Sequence, residues 1–88
     1  MDIKKIGIIG AGQMGNGIAH VMALAGYDVV LNDISQQSLD AAISAIHKNM
    51  ARQASRGKIA EAEVSDAVAR ITTTLALADI GATDLVIE

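Results

Sequence analysis

The stretch G-I-I-G-A-G-Q-M-G-N-G-I-A-H, residues 7–20, decides the fold. Five of its residues are glycine, and none is charged apart from what its closing histidine can carry. Glycine loses more conformational freedom on folding than any other residue, so such a cluster needs a purpose. Just before it, I-K-K-I-G-I-I-G reads as a strand. Its apolar run from Ile6 to Ile9 suits a strand buried on both faces of a parallel sheet. From Met14 the period changes. Ile18, Val21, Met22 and Ala25 recur at helical spacing and predict the inward face of a helix, with Gly26 as its stop. Gly10, Gly12 and Gly15 therefore spell G-x-G-x-x-G between a strand and a helix, the context that gives the motif mechanical meaning. Gly10 is expected to make the tight turn, Gly12 to let a pyrophosphate approach the backbone, and Gly15 to let helix and strand pack closely. Gly17 is expected to add close packing. The helix N-terminus would present free N–H groups and a positive dipole end to phosphates.

Two other readings of the stretch fail. Lys4-Lys5 followed by an apolar run resembles a secretory signal, but glycines in its core would serve nothing. A membrane helix is excluded because Gln13, Asn16, His20 and Asp28 interrupt the run well before about 18 apolar residues accumulate.

Working outward, Y-D-V-V-L-N-D is a second strand ending at Asp33. This carboxylate lies 23 residues after Gly10, near the spacing at which dinucleotide sites place an acid on the adenosine ribose. It would repel a 2′-phosphate, and no Lys or Arg follows in I-S-Q-Q-S to neutralise one, so NAD is favoured over NADP. Ser35 is a plausible N-cap for a long helix striped by Leu39, Ile43, Ile46 and Met50. Arg52 and Arg56 suit its negative end, and Gly57 stops it. A further helix over Glu61–Arg70, with Val64, Val68 and Ile71 inward, closes a helical hairpin that turns at R-G-K. I-T-T-T-L is a short strand, A-L-A-D-I-G a helical turn or loop, and T-D-L-V-I-E a strand of buried type. This order predicts an α/β fold: a partial Rossmann-like parallel sheet, strand order 3-2-1-4, with a helical hairpin after strand 2.

The 88 residues make one small domain with a net charge of −3 and a single aromatic side chain, Tyr27. Neither a basic stripe nor a set of stacking rings is present, which argues against a nucleic-acid partner. Absence of cysteine removes disulfides, thiolate chemistry and Cys-type zinc sites, and fits a reducing cytoplasm. The competing reading of the glycines as packing alone, with Asp33 a turn residue, must explain motif, flanks and acid together.

K-K-I-G-I-I-G-A-G-Q-M-G-N-G-I-A-H-V-M-A-L-A-G-Y-D-V-V-L-N-D-I-S closely resembles the start of 3-hydroxyacyl-CoA dehydrogenases. K-N-M-A-R-Q-A-S-R-G-K-I, A-R-I-T and D-L-V-I-E extend the resemblance along the chain, hairpin included. It implies an NAD-dependent oxidoreductase of fatty-acid metabolism, cytoplasmic, acting on an acyl-CoA substrate. Residues 1–88 would be the N-terminal part of its Rossmann domain. The resemblance places Gly10, Gly12, Gln13, Met14, Gly15, Asp33 and Glu88 on the cofactor, and Asn49, Arg56 and Lys58 on the CoA. No catalytic residue is assigned, because the family's catalytic His, its Glu partner and the helical domain that carries the homodimer contacts match nothing here. The chain is accordingly expected to be an inactive, marginally stable fragment with an uncovered last strand. His20 and His47 are expected to be solvated surface residues. Arg52, Arg56 and Lys58 also fit a plain solvated helix end. Another β-hydroxyacid-type dehydrogenase and a non-catalytic nucleotide-binding protein remain the alternatives.

Overall fold

A computed structural model describes residues 3–88. The elements run β1 (Lys5–Ile9), α1 (Gln13–Leu24), β2 (Asp28–Asn32), α2 (Gln36–Ser55), α3 (Glu61–Ala69), β3 (Ile71–Thr74), a 3-10 helix (Leu77–Ala82) and β4 (Leu85–Ile87). The four strands form one parallel sheet in the order β3-β2-β1-β4. Chain direction across the sheet therefore reverses between β1 and β4, which creates a switch point at their carboxyl ends.

Alternation along the strands sorts the two faces. Ile6 and Ile8 of β1 and Val29 and Leu31 of β2 join Ala19, Ala23, Leu39, Ala42, Ile46, Met50, Val64 and Ala67 in one buried cluster. All three α-helices thus cover one face. Gly7 points to the other, where a Cβ would stand 2.7 Å from Thr83 Oγ1 and 3.0 Å from Ile80 Cγ2. The bare backbone at Gly7 is what lets the 3-10 helix, left open between turn and loop by the sequence, lie flat on β1.

The inward face of α1 differs from its apolar periodicity. Ala19 and Ala23 are fully buried, Ile18 and Met22 partly so, whereas Val21 is 61% exposed and Ala25 is exposed. Small residues are selected here because α1 packs on the sheet, α2 and α3 together. In α2, Ala42 likewise lies deeper than Ile43. Gly17 also departs from expectation: a Cβ there meets nothing within 4 Å. It packs nothing closely, and as a glycine inside a helix it costs stability. Gly17→Ala should raise the stability by about 0.5–1 kcal/mol, measurable as a higher urea midpoint at unchanged slope.

The last strand is apolar in sequence, and its Leu85 and Val86 are exposed, in keeping with the expectation of an uncovered strand. Its start is pinned by Asp84, whose Oδ2 accepts from the backbone N–H groups of Lys4 (2.9 Å) and Lys5 (3.0 Å). Those bonds, helped by the two lysine charges, lower the Asp84 pKa below the ordinary 3.8. A carboxyl with a depressed folded pKa stabilises the fold above its unfolded value, and the contribution is lost as pH falls through the lower folded one. Urea midpoints should therefore hold steady down to about pH 4 and fall below it. In Asp84→Asn, that acid-side fall should be shallower and the midpoint at pH 7 lower.

Arg70, just past α3, donates from Nη1 to the Ala23 carbonyl at 2.8 Å. The cation meets the negative end of α1, where the Ala23 carbonyl also accepts from Gly26 N–H at 3.1 Å, so it offsets the helix dipole.

Candidate dinucleotide and phosphate sites

β1 ends at Ile9, and Gly10 turns the chain with φ +100, a conformation that side chains resist. Its N–H donates to the Asn32 carbonyl at 2.8 Å, which fixes the turn to the end of β2. Gly12 is the N-cap of α1 and has no side chain with which to cap. The first intrahelical bond runs from Asn16 N–H to Gly12 O at 2.9 Å. The N–H groups of Gln13, Met14 and Gly15 therefore have no intrahelical acceptor. No acidic residue stands in this first turn, so no side chain of the helix itself offsets its positive dipole end.

The three motif glycines differ in what a side chain would meet. A Cβ on Gly15 would overlap the Gly10 carbonyl oxygen and lie 3.0 Å from its carbon. A Cβ on Gly12 would enter open space. Gly15 is thus bare for packing, and Gly12 is bare without any packing reason inside the chain. A cleft of about 310 Å³ lies there, lined by Gly10, Gly12, Gln13, Met14, Gly15, Ile18, Ile87 and Glu88 among others. It occupies the switch point between β1 and β4.

Asp33 bridges the end of β2 to the glycine turn. Oδ2 accepts from Ala11 N–H at 2.9 Å and Oδ1 from Ser35 N–H at 3.0 Å. These backbone bonds lower its pKa, so it is a carboxylate throughout the neutral range. Each oxygen retains a lone pair for an external hydroxyl donor. Beside it, Ile34 is 96% exposed and shares a second hollow with Ile9, Gly10, Asn32 and Asp33. Sequence reading passed over Ile34. Its signal was an apolar residue in a loop, directly after the acid.

The hairpin brings Asn49, Arg56 and Lys58 into one pocket of about 390 Å³ with Arg52, Gln53 and His20. His20 is not the solvated residue its helical position suggested. It is half-buried, and its Nε2 lies 2.7 Å from Gln53 Oε1. The reason is tertiary: α2 packs alongside α1 and carries Gln53 to it. His47 is exposed, as expected. Neither histidine lines the cleft at the glycine turn. Among the described residues no cluster of His, Cys, Asp and Glu is arranged to hold a metal, and no helix is long and apolar enough to cross a membrane.

The sequence model of the family "3-hydroxyacyl-CoA dehydrogenase, NAD binding domain" matches residues 5–88. The chain belongs to this family. A 3-hydroxybutyryl-CoA dehydrogenase from Bradyrhizobium diazoefficiens is 54% identical over 86 residues, covering 98% of this chain and 29% of that protein. The crystal structure of an (S)-3-hydroxybutyryl-CoA dehydrogenase from Ralstonia eutropha superposes with a TM-score of 0.96 at 39% identity, covering 99% of this chain and 31% of that one. A lactate dehydrogenase from Cryptosporidium parvum, solved with lactic acid and NAD, gives a TM-score of 0.61 at 28% identity, over 98% of this chain and 24% of that one. The chain thus spans about a third of the length of the hydroxybutyryl-CoA dehydrogenases it matches.

NAD is the cofactor of this 3-hydroxyacyl-CoA dehydrogenase domain, and the geometry fits it. The open space over Gly12, the unpaired N–H groups of the first helical turn and the spare acceptor capacity of Asp33 line up along the ends of β1 and β2. That arrangement offers donors for a diphosphate and acceptors for a ribose, as a dinucleotide requires.

Proposed function

We propose that this chain is the cofactor-binding part of an enzyme that oxidises the 3-hydroxyl of an (S)-3-hydroxyacyl-CoA to the 3-oxo thioester. The observation that carries the reading is the hairpin pocket. Asn49, Arg56 and Lys58 converge there without any carboxylate, beside the same helix whose N-terminus forms the dinucleotide cleft. A thioester of CoA, with three phosphates on a long tether, matches a cationic pocket set apart from the hydride acceptor. A small free hydroxy acid has no use for one.

In this reading the backbone N–H groups of Gly12, Gln13, Met14 and Gly15 hold the diphosphate. Gly10 sets their direction, and Asp33 accepts from the adenosine ribose. Glu88, across the cleft at the end of β4, accepts from a further sugar hydroxyl. NAD, when bound, supplies the hydride acceptor. Removal of the hydroxyl proton needs a positioned base; neither histidine lines the cleft, and this reading assigns that role to none of the chain's residues. A cytoplasmic setting and homodimeric assembly through the family's helical domain are part of the same proposal. So is the division of labour in which residues 1–88 form the N-terminal share of the Rossmann domain.

The test is NAD reduction by this chain alone and by a chimera in which it replaces the matching 86 residues of the Bradyrhizobium relative. The chimera should turn over 3-hydroxybutyryl-CoA and not free 3-hydroxybutyrate, and the chain alone should be inactive. Equal use of the free acid by the chimera would point to another β-hydroxyacid dehydrogenase. Turnover by the purified chain would place the base within it.

A further inference from the structure

We propose that His20 is a phosphate-binding residue which takes up a proton at Nδ1 when a phosphate enters the hairpin pocket. The inference rests on the reading of that pocket as a CoA site and adds a ligand group and a proton to it. Three of the chain's seven Lys and Arg residues, Arg52, Arg56 and Lys58, line this one pocket, in a chain whose net charge is negative. Its other lining residues, Asn49, Gln53 and His20, carry no negative charge. A phosphate suits this set because guanidinium groups match its oxygens in geometry as well as in charge.

The hydrogen bond of His20 fixes the role of each ring nitrogen. Gln53 Oε1 can only accept, so the proton of the neutral ring sits on Nε2. Nδ1 is left as the bare nitrogen. Among the described residues no buried side-chain nitrogen or oxygen lacks a partner, and Nδ1 has no hydrogen-bond partner among them, so it is open to solvent, on a residue that lines the pocket. A phosphate drawn in by Arg52, Arg56 and Lys58 offers Nδ1 both a negative charge and an acceptor for a new N–H. The proton comes from solvent. The other elements packed on α1 bring no competing acid: α3 turns Val64 and Ala67 inward, Arg70 is engaged by the Ala23 carbonyl, and Ile8, Val29 and Leu31 of the sheet are apolar.

The chain holds only two histidines, and exposed His47 serves as an internal reference. The ring resonances of both would be followed in this chain across a pH titration, without ligand and with inorganic phosphate, CoA or 3′-dephospho-CoA. The expected result is that CoA raises the titration midpoint of His20 and leaves that of His47 alone. Calorimetry of CoA binding in buffers of different ionisation enthalpy should show net proton uptake, absent in His20→Gln. Glutamine offers a neutral polar group of similar reach, so that variant should keep the fold and the three cations while losing about tenfold in CoA affinity at pH 6 and less at pH 8. A His20 shift with CoA but not with dephospho-CoA identifies the 3′-phosphate. A shift with both identifies the diphosphate, and either supports the proposal. CoA binding with an unmoved His20 would overturn it and leave the CoA reading intact. Movement with inorganic phosphate but no CoA binding would support His20 and overturn the CoA reading. No response to any of the three would overturn both.

Discussion

Gly15→Ala is expected to remove measurable NAD binding and to lower stability by about 3 kcal/mol. The new methyl group would overlap the Gly10 carbonyl oxygen. Both partners of that clash are backbone, so no rotamer change can relieve it. Either α1 moves off the end of β1 or the Gly10 turn unwinds, and each outcome redirects the N–H groups of Gln13 and Met14. Backbone donors hold a diphosphate through several short bonds at once, so a displacement of one helix end weakens all of them together. Against a total stability of roughly 5–15 kcal/mol for a small domain, the loss should be plain in a urea titration. Gly17→Ala is the matched control. It adds the same methyl group to the same helix in open space and should bind NAD as the parent does.

Asp33→Ala is expected to weaken NAD about 100-fold and to narrow or abolish the preference over NADP. One charged acceptor of sugar hydroxyls is worth about 1.5–3 kcal/mol per bond, and removing the carboxylate also removes its repulsion of a 2′-phosphate. A second loss falls on the protein itself. Ala11 is buried, and its N–H donates to Asp33 Oδ2, so the variant leaves that donor unpaired at the centre of the glycine turn. Asp33→Asn separates the two effects. The amide oxygen can still receive Ala11 N–H, so the turn should survive while the charge is gone. NAD affinity should then fall less than in the alanine variant, and discrimination against NADP should still shrink. Parallel calorimetric titrations of both variants with both cofactors would show this. An unchanged NAD-to-NADP ratio in Asp33→Asn would mean that another group sets the preference.

What the sequence revealed follows from the range of the interactions concerned. The run from Ile6 to Ile9, the change of period at Met14 and the spacing of Gly10, Gly12 and Gly15 are local signals. They suffice for β1, the turn and α1, and with Asp33 for the outline of the cofactor site. The alternation of strands and helices implied a parallel sheet with right-handed crossovers, and the strand order came with the Rossmann-like reading of the whole. The misread positions each depended on a distant surface. Periodicity counts apolarity and ignores size, so it chose Val21 where close contact with the sheet and two helices selects Ala19 and Ala23. Gly17 shares the composition of the motif without sharing its contacts. His20 was assigned to solvent because its partner, Gln53, lies 33 residues away on another helix. Asp33 was assigned its ribose role, but its bond to Ala11, which spans 22 residues, needed the two strand ends brought together. Gly7 gave no signal at all. Its contacts, Thr83 and Ile80, come from a 3-10 segment whose place on the sheet no local pattern specifies.

The central claim is that the turn after β1 and the first turn of α1 hold the diphosphate of NAD, with Asp33 selecting against a 2′-phosphate. The most direct measurement is an amide ¹H–¹⁵N titration of this chain with NAD and with NADP, which registers even weak binding residue by residue. The account predicts saturable shifts at Ala11, Gly12, Gln13, Met14 and Gly15 with NAD, at lower concentrations than with NADP, and quiet amides at α3. Unmoved amides over residues 11–15, or NADP binding as tightly as NAD, would contradict it.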